Sequence, residues 1–123
     1  MKVFDTSAVL AILYGEEGAD KAAAALPIGC IAMANVTEAV SDLLVGGHGS
    51  IDRCADTVRA LGLEWVPTQE PQAIKAAELR PLKGLSLGDR SCLALALTRN
   101  APVVTSDQAW ARLPHGATVE LIR

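Results

Sequence analysis

Apolar residues along the chain form short continuous runs that alternate with longer stretches in which they recur every three or four residues. A short run indicates a strand covered on both faces, and the helical spacing indicates a helix packed on one side. Glycine and proline separate these segments and mark their ends. Strands are predicted at 2–4, 29–33, 63–66, 102–105 and 117–122, and helices at 6–14, 18–26, 36–45, 51–61, 68–79, from Ser86 to 99, and 108–113.

This alternation predicts an α/β fold, a three-layer α/β/α sandwich whose central sheet is mostly parallel and has about five strands. The chain has 123 residues and no linker, repeat or low-complexity segment, so we expect one domain over residues 1–123. The run Lys2–Phe4 is short and apolar, which is typical of a strand with neighbours on both sides. We therefore expect it to lie inside the sheet. The run 117–122 is predicted to be an edge strand.

Four carboxylates fall at equivalent places in this pattern. Asp5 follows the first strand, and Asp107 follows the fourth. Glu38 lies one turn into the helix that leaves the second strand, and Asp89 begins the helix that feeds the fourth. A helix that feeds a parallel strand runs antiparallel to it, so its first turn lies at the carboxyl edge of the sheet. All four acids are therefore expected at one rim, where open parallel sheets bind ligands.

Each of these acids also has a simpler interpretation as a helix cap. An acidic side chain at a helix N-terminus accepts backbone N–H groups and gains up to about 1 kcal/mol from the helix dipole. Asn35–Glu38 fits a capping box, and Ser86–Asp89 fits one with Asp in place of Glu. Asp5 and Asp107 would be N-caps. Capping does not require the four acids to meet in space, whereas a metal site does.

Carboxylates gathered at one rim would repel one another. Two of them about 4 Å apart repel by about 4 kcal/mol at an effective dielectric constant of about 20, which exceeds what a cap contributes. Such a cluster is stable when protons or divalent cations neutralise it. Oxygen ligands without His or Cys favour Mg²⁺ or Mn²⁺ over Zn²⁺. A metal held by them keeps water ligands, and one such water is a potential nucleophile for a phosphodiester.

Composition and charge limit the other classes of function. Fourteen acidic and eleven basic residues give a net charge of −3 without any run of Lys or Arg, which argues against nonspecific electrostatic binding along DNA. Aromatic residues make up 3% of the chain, too few for a platform that stacks single-stranded bases. Cys30, Cys54 and Cys92 stand alone among apolar neighbours and indicate buried thiols. No signal peptide or bilayer-length apolar run is recognisable, so we expect a cytoplasmic protein without a membrane partner.

The segments that carry the four acids resemble the motifs of the PIN domain family, and in particular the VapC-like ribonuclease toxins of toxin–antitoxin pairs. Residues 3–10, V-F-D-T-S-A-V-L, are similar to the D-T-S-A start, and residues 35–40, N-V-T-E-A-V, to the N-x-x-E-V segment. Residues 85–96, L-S-L-G-D-R-S-C-L-A-L-A, resemble the G-D-R-x-C-L-A-L-A run, the most specific of the motifs. Residues 104–110, V-T-S-D-Q-A-W, resemble the T-x-D-x-x-W/F ending.

The resemblance covers essentially the whole chain and implies a PIN-like fold with metal-dependent endoribonuclease activity. The implied catalytic residues are Asp5, Glu38, Asp89 and Asp107, with Asp5, Asp89 and Asp107 as ligands of Mg²⁺ or Mn²⁺. Ser7 and Thr105 would support the first and last acids by orienting a carboxylate or water, or would serve as turn and cap hydroxyls. The family further implies an RNA substrate, a small antitoxin partner and a homodimer.

Two arginines flank the acidic rim in sequence. Arg90 and Arg112 are candidate contacts to RNA phosphates, and Arg90 could instead pair with a neighbouring carboxylate. Gln108 stands where many members of the family carry a basic residue, which weakens the expected RNA contact. The alternative function is therefore a catalytically weak or inactive PIN-fold module that binds protein. His48 and His115 lie in Gly- and Pro-containing turns and are expected to be solvated.

Overall fold

The computed structural model describes residues Met1 to Arg123, in which strands and helices alternate as predicted. The strands are β1 (Lys2–Phe4), β2 (Gly29–Ala32), β3 (Glu64–Val66), β4 (Val103–Thr105) and β5 (Val119–Leu121). The α-helices are α1 (Thr6–Tyr14), α2 (Ala19–Ala24), α3 (Met33–Val45), α4 (Ile51–Arg59), α5 (Glu70–Glu78) and α6 (Leu87–Arg99). Two short 3-10 helices span Leu26–Ile28 and Gln108–Arg112.

All five strands pair in parallel in one sheet of order β3-β2-β1-β4-β5. In the central strand β1, Val3 is paired with Cys30 of β2 on one side and with Val103 of β4 on the other. The chain builds the sheet outward from β1 to β3, then returns to the other side of β1 to add β4 and β5. This reversal opens a crevice at the carboxyl ends of β1 and β4, where open α/β sheets bind ligands. The predicted parallel α/β sheet and its β5 edge strand are confirmed.

Helices cover both faces of the sheet, because successive strand residues point to opposite sides. Phe4, Ile31 and Val104 belong to the core cluster packed against α1, α2, α3 and α4. Val3 and Val103 belong to the second cluster, which lies on the side of α6. The predicted three-layer α/β/α sandwich is therefore confirmed.

The start of α3 differs from the prediction. The helix begins at Met33, and Ala32 occupies the N-cap position without a side-chain hydrogen bond. Asn35 lies inside the helix, so the predicted capping box at Asn35–Glu38 is wrong. The Asn35 amide instead donates to Thr6 and to Gly88 on other elements, which draws the side chain away from the helix end.

Other predicted caps are present. Ser86 and Asp89 form a capping box at the start of α6, and the Ser50 hydroxyl accepts the Arg53 amide at the start of α4. The predicted helix 18–26 is the shorter α2 followed by a 3-10 turn, and α5 begins at 70 rather than 68. These shifts are at element ends, where local signals are weakest.

His115 is buried, contrary to the prediction that it would be solvated. Its Nδ1 accepts the Ala117 amide at 3.0 Å, so its Nε2 carries the proton and donates to the Trp110 carbonyl at 2.7 Å. His48 is exposed as expected, with its ring centroid 5.4 Å from that of Tyr14. The His115 ring therefore links a turn to the second 3-10 helix and is a structural residue.

The three cysteines are buried free thiols, as their apolar neighbours predicted. No helix combines the length and hydrophobicity that a membrane crossing requires.

Candidate active site

Asp5 follows the central strand at the crevice and is 5% exposed. It occupies the N-cap position of α1, but its side chain makes no capping hydrogen bond, so the cap interpretation is wrong for this carboxylate. Its Oδ2 instead accepts the hydroxyls of Ser7 at 2.6 Å and Thr105 at 2.8 Å. No side-chain hydrogen bond reaches Oδ1. One oxygen of Asp5 is therefore held firmly, and the other is free to bind a ligand.

The hydroxyls of Ser7 and Thr105 lie 3.2 Å apart. Each accepts a backbone amide at 3.0 Å, from Ser106 and Asp107 respectively. Because these amides occupy acceptor positions on the hydroxyl oxygens, both hydroxyl protons are free to point to Asp5. The predicted supporting residues thus meet at the first acid and connect it to the loop that carries the last one.

Glu38 is held by a similar arrangement in the second turn of α3. Its Oε1 accepts the Thr6 hydroxyl at 2.6 Å and the Asn35 amide at 3.0 Å, while Oε2 accepts no hydrogen bond. Its carboxylate also lies against the first turn of α6 at Gly88. A methyl group at Gly88 would sit 2.6 Å from the carboxylate carbon, so only glycine leaves room for it.

Asn35 joins three elements at this point. It is fully buried, and its Nδ2 lies 3.2 Å from Thr6 Oγ1 and 3.2 Å from the Gly88 carbonyl, in addition to its contact with Glu38. The roles of Thr6, Asn35 and Gly88 were missed from the sequence. All three lie within the quoted motifs, but a spacing of three residues from Asn35 to Glu38 suits a helix cap equally well.

The other two acids are held by their own helices. Asp89 Oδ2 accepts the Ser86 amide at 2.9 Å, and Asp107 Oδ1 accepts the Ala109 amide at 3.0 Å. Both cap interpretations are therefore correct for these side chains. Asp89 is half-buried and Asp107 is exposed.

The environment of Asp5 disfavours its charged form. Burial raises the pKa of Asp5 from its ordinary value of 3.8 to about 6. The hydroxyl bonds from Ser7 and Thr105 lower this pKa in part, and the negative charge of Asp89 raises it. A buried carboxylate beside a like charge indicates a position selected for binding or catalysis rather than for stability.

The same influences act on Asp89. Burial raises its pKa, the Ser86 amide opposes this effect, and the charges of Glu38 and Asp107 add to it. The four predicted acids therefore share one electrostatic neighbourhood. None of the five ion pairs of the protein involves any of them, so no Lys or Arg neutralises the cluster.

The donor set suits a hard divalent cation. No three His, Cys, Asp or Glu side chains are arranged closely enough to hold a metal ion, so the ligand set Asp5, Asp89 and Asp107 stays a prediction. The available oxygens nevertheless belong to carboxylates without cationic partners, the chemistry that Mg²⁺ and Mn²⁺ prefer. Mg²⁺ commonly takes one or two protein carboxylates and keeps several waters. It therefore does not require three ligands from the chain.

The arginines are arranged differently from the prediction. Arg90 donates from Nη1 to the Ala76 carbonyl at 3.2 Å and pairs with no carboxylate, so the predicted ion pair is wrong. Arg112 is exposed, and RNA contact stays a prediction for both.

Arg123 was not identified from the sequence as a residue of this region. Its Nη2 lies 3.4 Å from Ser106 Oγ beside the rim. Its place depends on the pairing of β5 with β4, which no local motif reveals.

Comparisons with known proteins identify the fold. The model of the PIN domain family matches residues 2–116. A toxin–antitoxin complex from Klebsiella pneumoniae is similar in structure, with a TM-score of 0.79 and 21% identity over 100% of this chain and 98% of that chain. DNA-bound VapBC from Salmonella typhimurium has a TM-score of 0.72 and 22% identity over 99% and 98% of the two chains. FitAcB from Neisseria gonorrhoeae has a TM-score of 0.72 and 19% identity, with the same coverage. No curated protein sequence matches.

Proposed function

Because the chain belongs to the PIN domain family, we propose that it is a Mg²⁺- or Mn²⁺-dependent endoribonuclease and the toxin of a toxin–antitoxin pair. The observation that carries this proposal is the way in which Asp5 and Glu38 are held. Each carboxylate receives two side-chain hydrogen bonds on one oxygen and none on the other. Hydrogen bonds of this kind orient metal-binding carboxylates, and a helix cap has no need of them.

In the proposed reaction the four acids together would hold the metal ion. Asp5 is the central metal ligand, and Glu38, Asp89 and Asp107 hold the ion directly or through water. A bound metal would supply Lewis acidity to a phosphate oxygen and would lower the pKa of the attacking water.

The surrounding side chains keep the carboxylates in place for this chemistry. The hydroxyls of Ser7 and Thr105 prevent Asp5 from rotating and leave its Oδ1 available. Thr6 and Asn35 do the same for Glu38 and leave its Oε2 available. Because these donors are already in position, the acids would lose little conformational freedom when they bind an ion.

Incubation of purified protein, free of antitoxin, with total RNA tests the proposal. Cleavage is expected with Mg²⁺ or Mn²⁺ and is expected to stop when a chelator is added. The Asp5→Asn variant keeps the acceptors for both hydroxyls but loses the charge, so it should fold and not cleave. Asp52→Asn, which changes an exposed acid in the first turn of α4, is the matched control and should cleave normally. Cleavage at the normal rate by folded Asp5→Asn protein would overturn the mechanism.

A small antitoxin and a second copy of the chain are the proposed partners. The similar structures from Klebsiella pneumoniae and Salmonella typhimurium are a toxin–antitoxin complex and a VapBC complex. Leu44, Val45 and Ile51, around the connection from α3 to α4, are exposed apolar side chains available for protein contact. Co-purification with the product of a small neighbouring open reading frame, followed by measurement of the mass of the complex, tests both partners.

A catalytically inactive module that binds protein is the second candidate. It is favoured by the exposure of Val45, which is 89%, and by the neutral Gln108 beside the rim. Gln108 donates to the Arg123 carbonyl at 3.3 Å. This candidate predicts no metal-dependent loss of RNA in the same incubation, so one experiment separates the two functions.

A further inference from the structure

We propose that Asn35 is a positioning residue that fixes the Glu38 carboxylate against the first turn of α6. In this way it sets the placement of Glu38 relative to Asp89. The assignment rests on the proposed function, because it concerns the acids of that site. Asn35 itself would touch neither metal nor RNA and would act through Glu38.

The contacts of Asn35 require a nitrogen donor at its inner end. Nδ2 faces the Glu38 carboxylate at 3.0 Å and the Gly88 carbonyl at 3.2 Å, both of which only accept hydrogen bonds. An amide oxygen in that place would be repelled by both groups. The orientation of the amide is therefore determined, and one buried nitrogen ties the second turn of α3 to the first turn of α6.

Packing alone does not explain an asparagine here. Asn35 is completely buried, and its Oδ1 has no hydrogen-bond partner within the chain. A buried polar atom without a partner is costly, and an apolar side chain of similar volume would avoid the cost. The presence of an amide is instead explained by the hydrogen bonds that its nitrogen donates to Glu38 and to the Gly88 carbonyl.

The geometry links Asn35 to the spacing between two acids. Gly88 directly precedes Asp89, and the Glu38 carboxylate lies against Gly88. Without the Asn35 amide, Glu38 keeps only the Thr6 hydroxyl as a donor, and its long side chain regains rotational freedom. The oxygen offered to a cation would then occupy several positions relative to Asp89.

Asn35→Ala and Gln72→Ala form a matched pair for the test. Gln72 is another buried amide, 4% exposed, and its Nε2 donates to the Ser91 carbonyl of α6 at 3.2 Å without contact to an acid. Both variants lose one buried amide bound to α6 and should lower the melting temperature of the metal-free protein to a similar extent. Only Asn35→Ala should weaken the binding of Mn²⁺ measured by calorimetry, by about 10-fold or more, as for other residues that orient metal ligands.

A double-mutant comparison distinguishes positioning from a general structural effect. In a Glu38→Ala background, Asn35→Ala should cause no further loss of Mn²⁺ affinity, because the residue through which it acts is absent. Thr6→Val removes the other donor to the same oxygen and should weaken Mn²⁺ binding in the same direction. It serves as the second variant if Asn35→Ala does not fold.

The outcomes are distinct. Equal Mn²⁺ affinity in Asn35→Ala and Gln72→Ala, or an undiminished effect of Asn35→Ala without Glu38, overturns the role of Asn35 and leaves the proposed nuclease standing. If Asn35→Ala does not fold, unchanged affinity in Thr6→Val overturns it as well. A wild-type protein that binds no Mn²⁺ overturns both proposals.

Discussion

The four acids at the rim are held in two different ways. Asp5 accepts one side-chain hydrogen bond from the nearby Ser7 and one from Thr105 on a distant segment. Glu38 likewise accepts one from the nearby Asn35 and one from the distant Thr6. Asp89 and Asp107 accept backbone N–H groups two or three residues away in sequence. The second pair needs only the first turn of a helix to be held in place, whereas the first pair needs the complete fold.

The way in which each acid is held indicates whether it contributes to stability or to function. Asp89, within the first turn of α6, and Asp107, before the second 3-10 helix, both cap the start of a helix, so their presence is explained even without a ligand. Asp5 makes no cap, and its burial disfavours the charge that it carries at neutral pH. A carboxylate that lowers stability is expected where a ligand uses it, so Asp5 indicates function more strongly than the capping pair.

Among substitutions that keep all four acids, the largest effect on activity is expected from Gly88→Ala. The added methyl group would lie 2.6 Å from the Glu38 carboxylate carbon and would displace an acid that depends on tertiary contacts. Displacement of a catalytic group by about 1 Å can cost about 100-fold in rate, and the cleavage rate should fall to that extent. Alanine favours a helix over glycine by about 1 kcal/mol, so the melting temperature should not fall.

Gly46→Ala is the control for this variant. Gly46 has a negative φ of −74°, and its added methyl group would mainly meet the exposed and movable His48 ring. It should cleave RNA normally. Normal cleavage by Gly88→Ala would mean that the placement of Glu38 does not matter.

Asp5→Asn is expected to stabilise the metal-free protein at neutral pH. The pKa of Asp5 is about 6 in the folded protein, against an ordinary value of 3.8. The folded state therefore holds the extra proton between these values, and the free energy of unfolding falls as the pH rises through them. Removal of the charge should raise this free energy by about 1 to 3 kcal/mol above about pH 7.

Urea denaturation in the presence of a chelator measures this change. The gain should be complete above about pH 7 and absent below about pH 3, where Asp5 is protonated in both states. A gain that is independent of pH, or a loss of stability at neutral pH, would contradict the proposed cost of the buried charge.

The smallest effect is expected from Ser86→Ala, which tests the capping pair. The substitution removes the hydroxyl that accepts the Asp89 amide at 3.1 Å and should lower the free energy of unfolding by about 1 kcal/mol. Asp89 keeps its bond from the Ser86 backbone, so the cleavage rate should change little. Ser50→Ala removes a cap of the same kind far from the acids in sequence and should cost similar stability. If Ser86→Ala lowered the cleavage rate as much as Gly88→Ala, the proposed difference between the capping pair and the pair held by tertiary contacts would be wrong.

Features that depend on neighbouring residues were predicted from the sequence. The bounds of β1 and α1, the Ser86–Asp89 capping box and the cap at Asp107 all agree with the structure. Hydrophobic runs, glycines and caps act over a few residues, so they can be recognised from the sequence alone. The convergence of the acids was also predicted, because the direction of helices and strands in a parallel sheet follows from their order along the chain.

The start of α3 and the role of Asn35 could not be predicted in this way. The spacing from Asn35 to Glu38 fits both a helix cap and a contact inside the helix. The choice depends on Thr6 and Gly88, which approach from other elements. The burial of His115 and the position of Arg123 likewise depend on how β5 pairs with the sheet.

By itself, the sequence determined the alternating architecture, the central place of β1 and the single rim that receives Asp5, Glu38, Asp89 and Asp107. These follow from local propensity, periodicity and chain direction. Only the tertiary structure decided how each acid is held. Asp89 and Asp107 are bound by their own helices, while Asp5 and Glu38 each receive two donors on one oxygen and keep the other free. One of the two donors to each of these acids, Thr105 or Thr6, is distant in sequence, and such a bond exists only when the sheet and its helices are assembled.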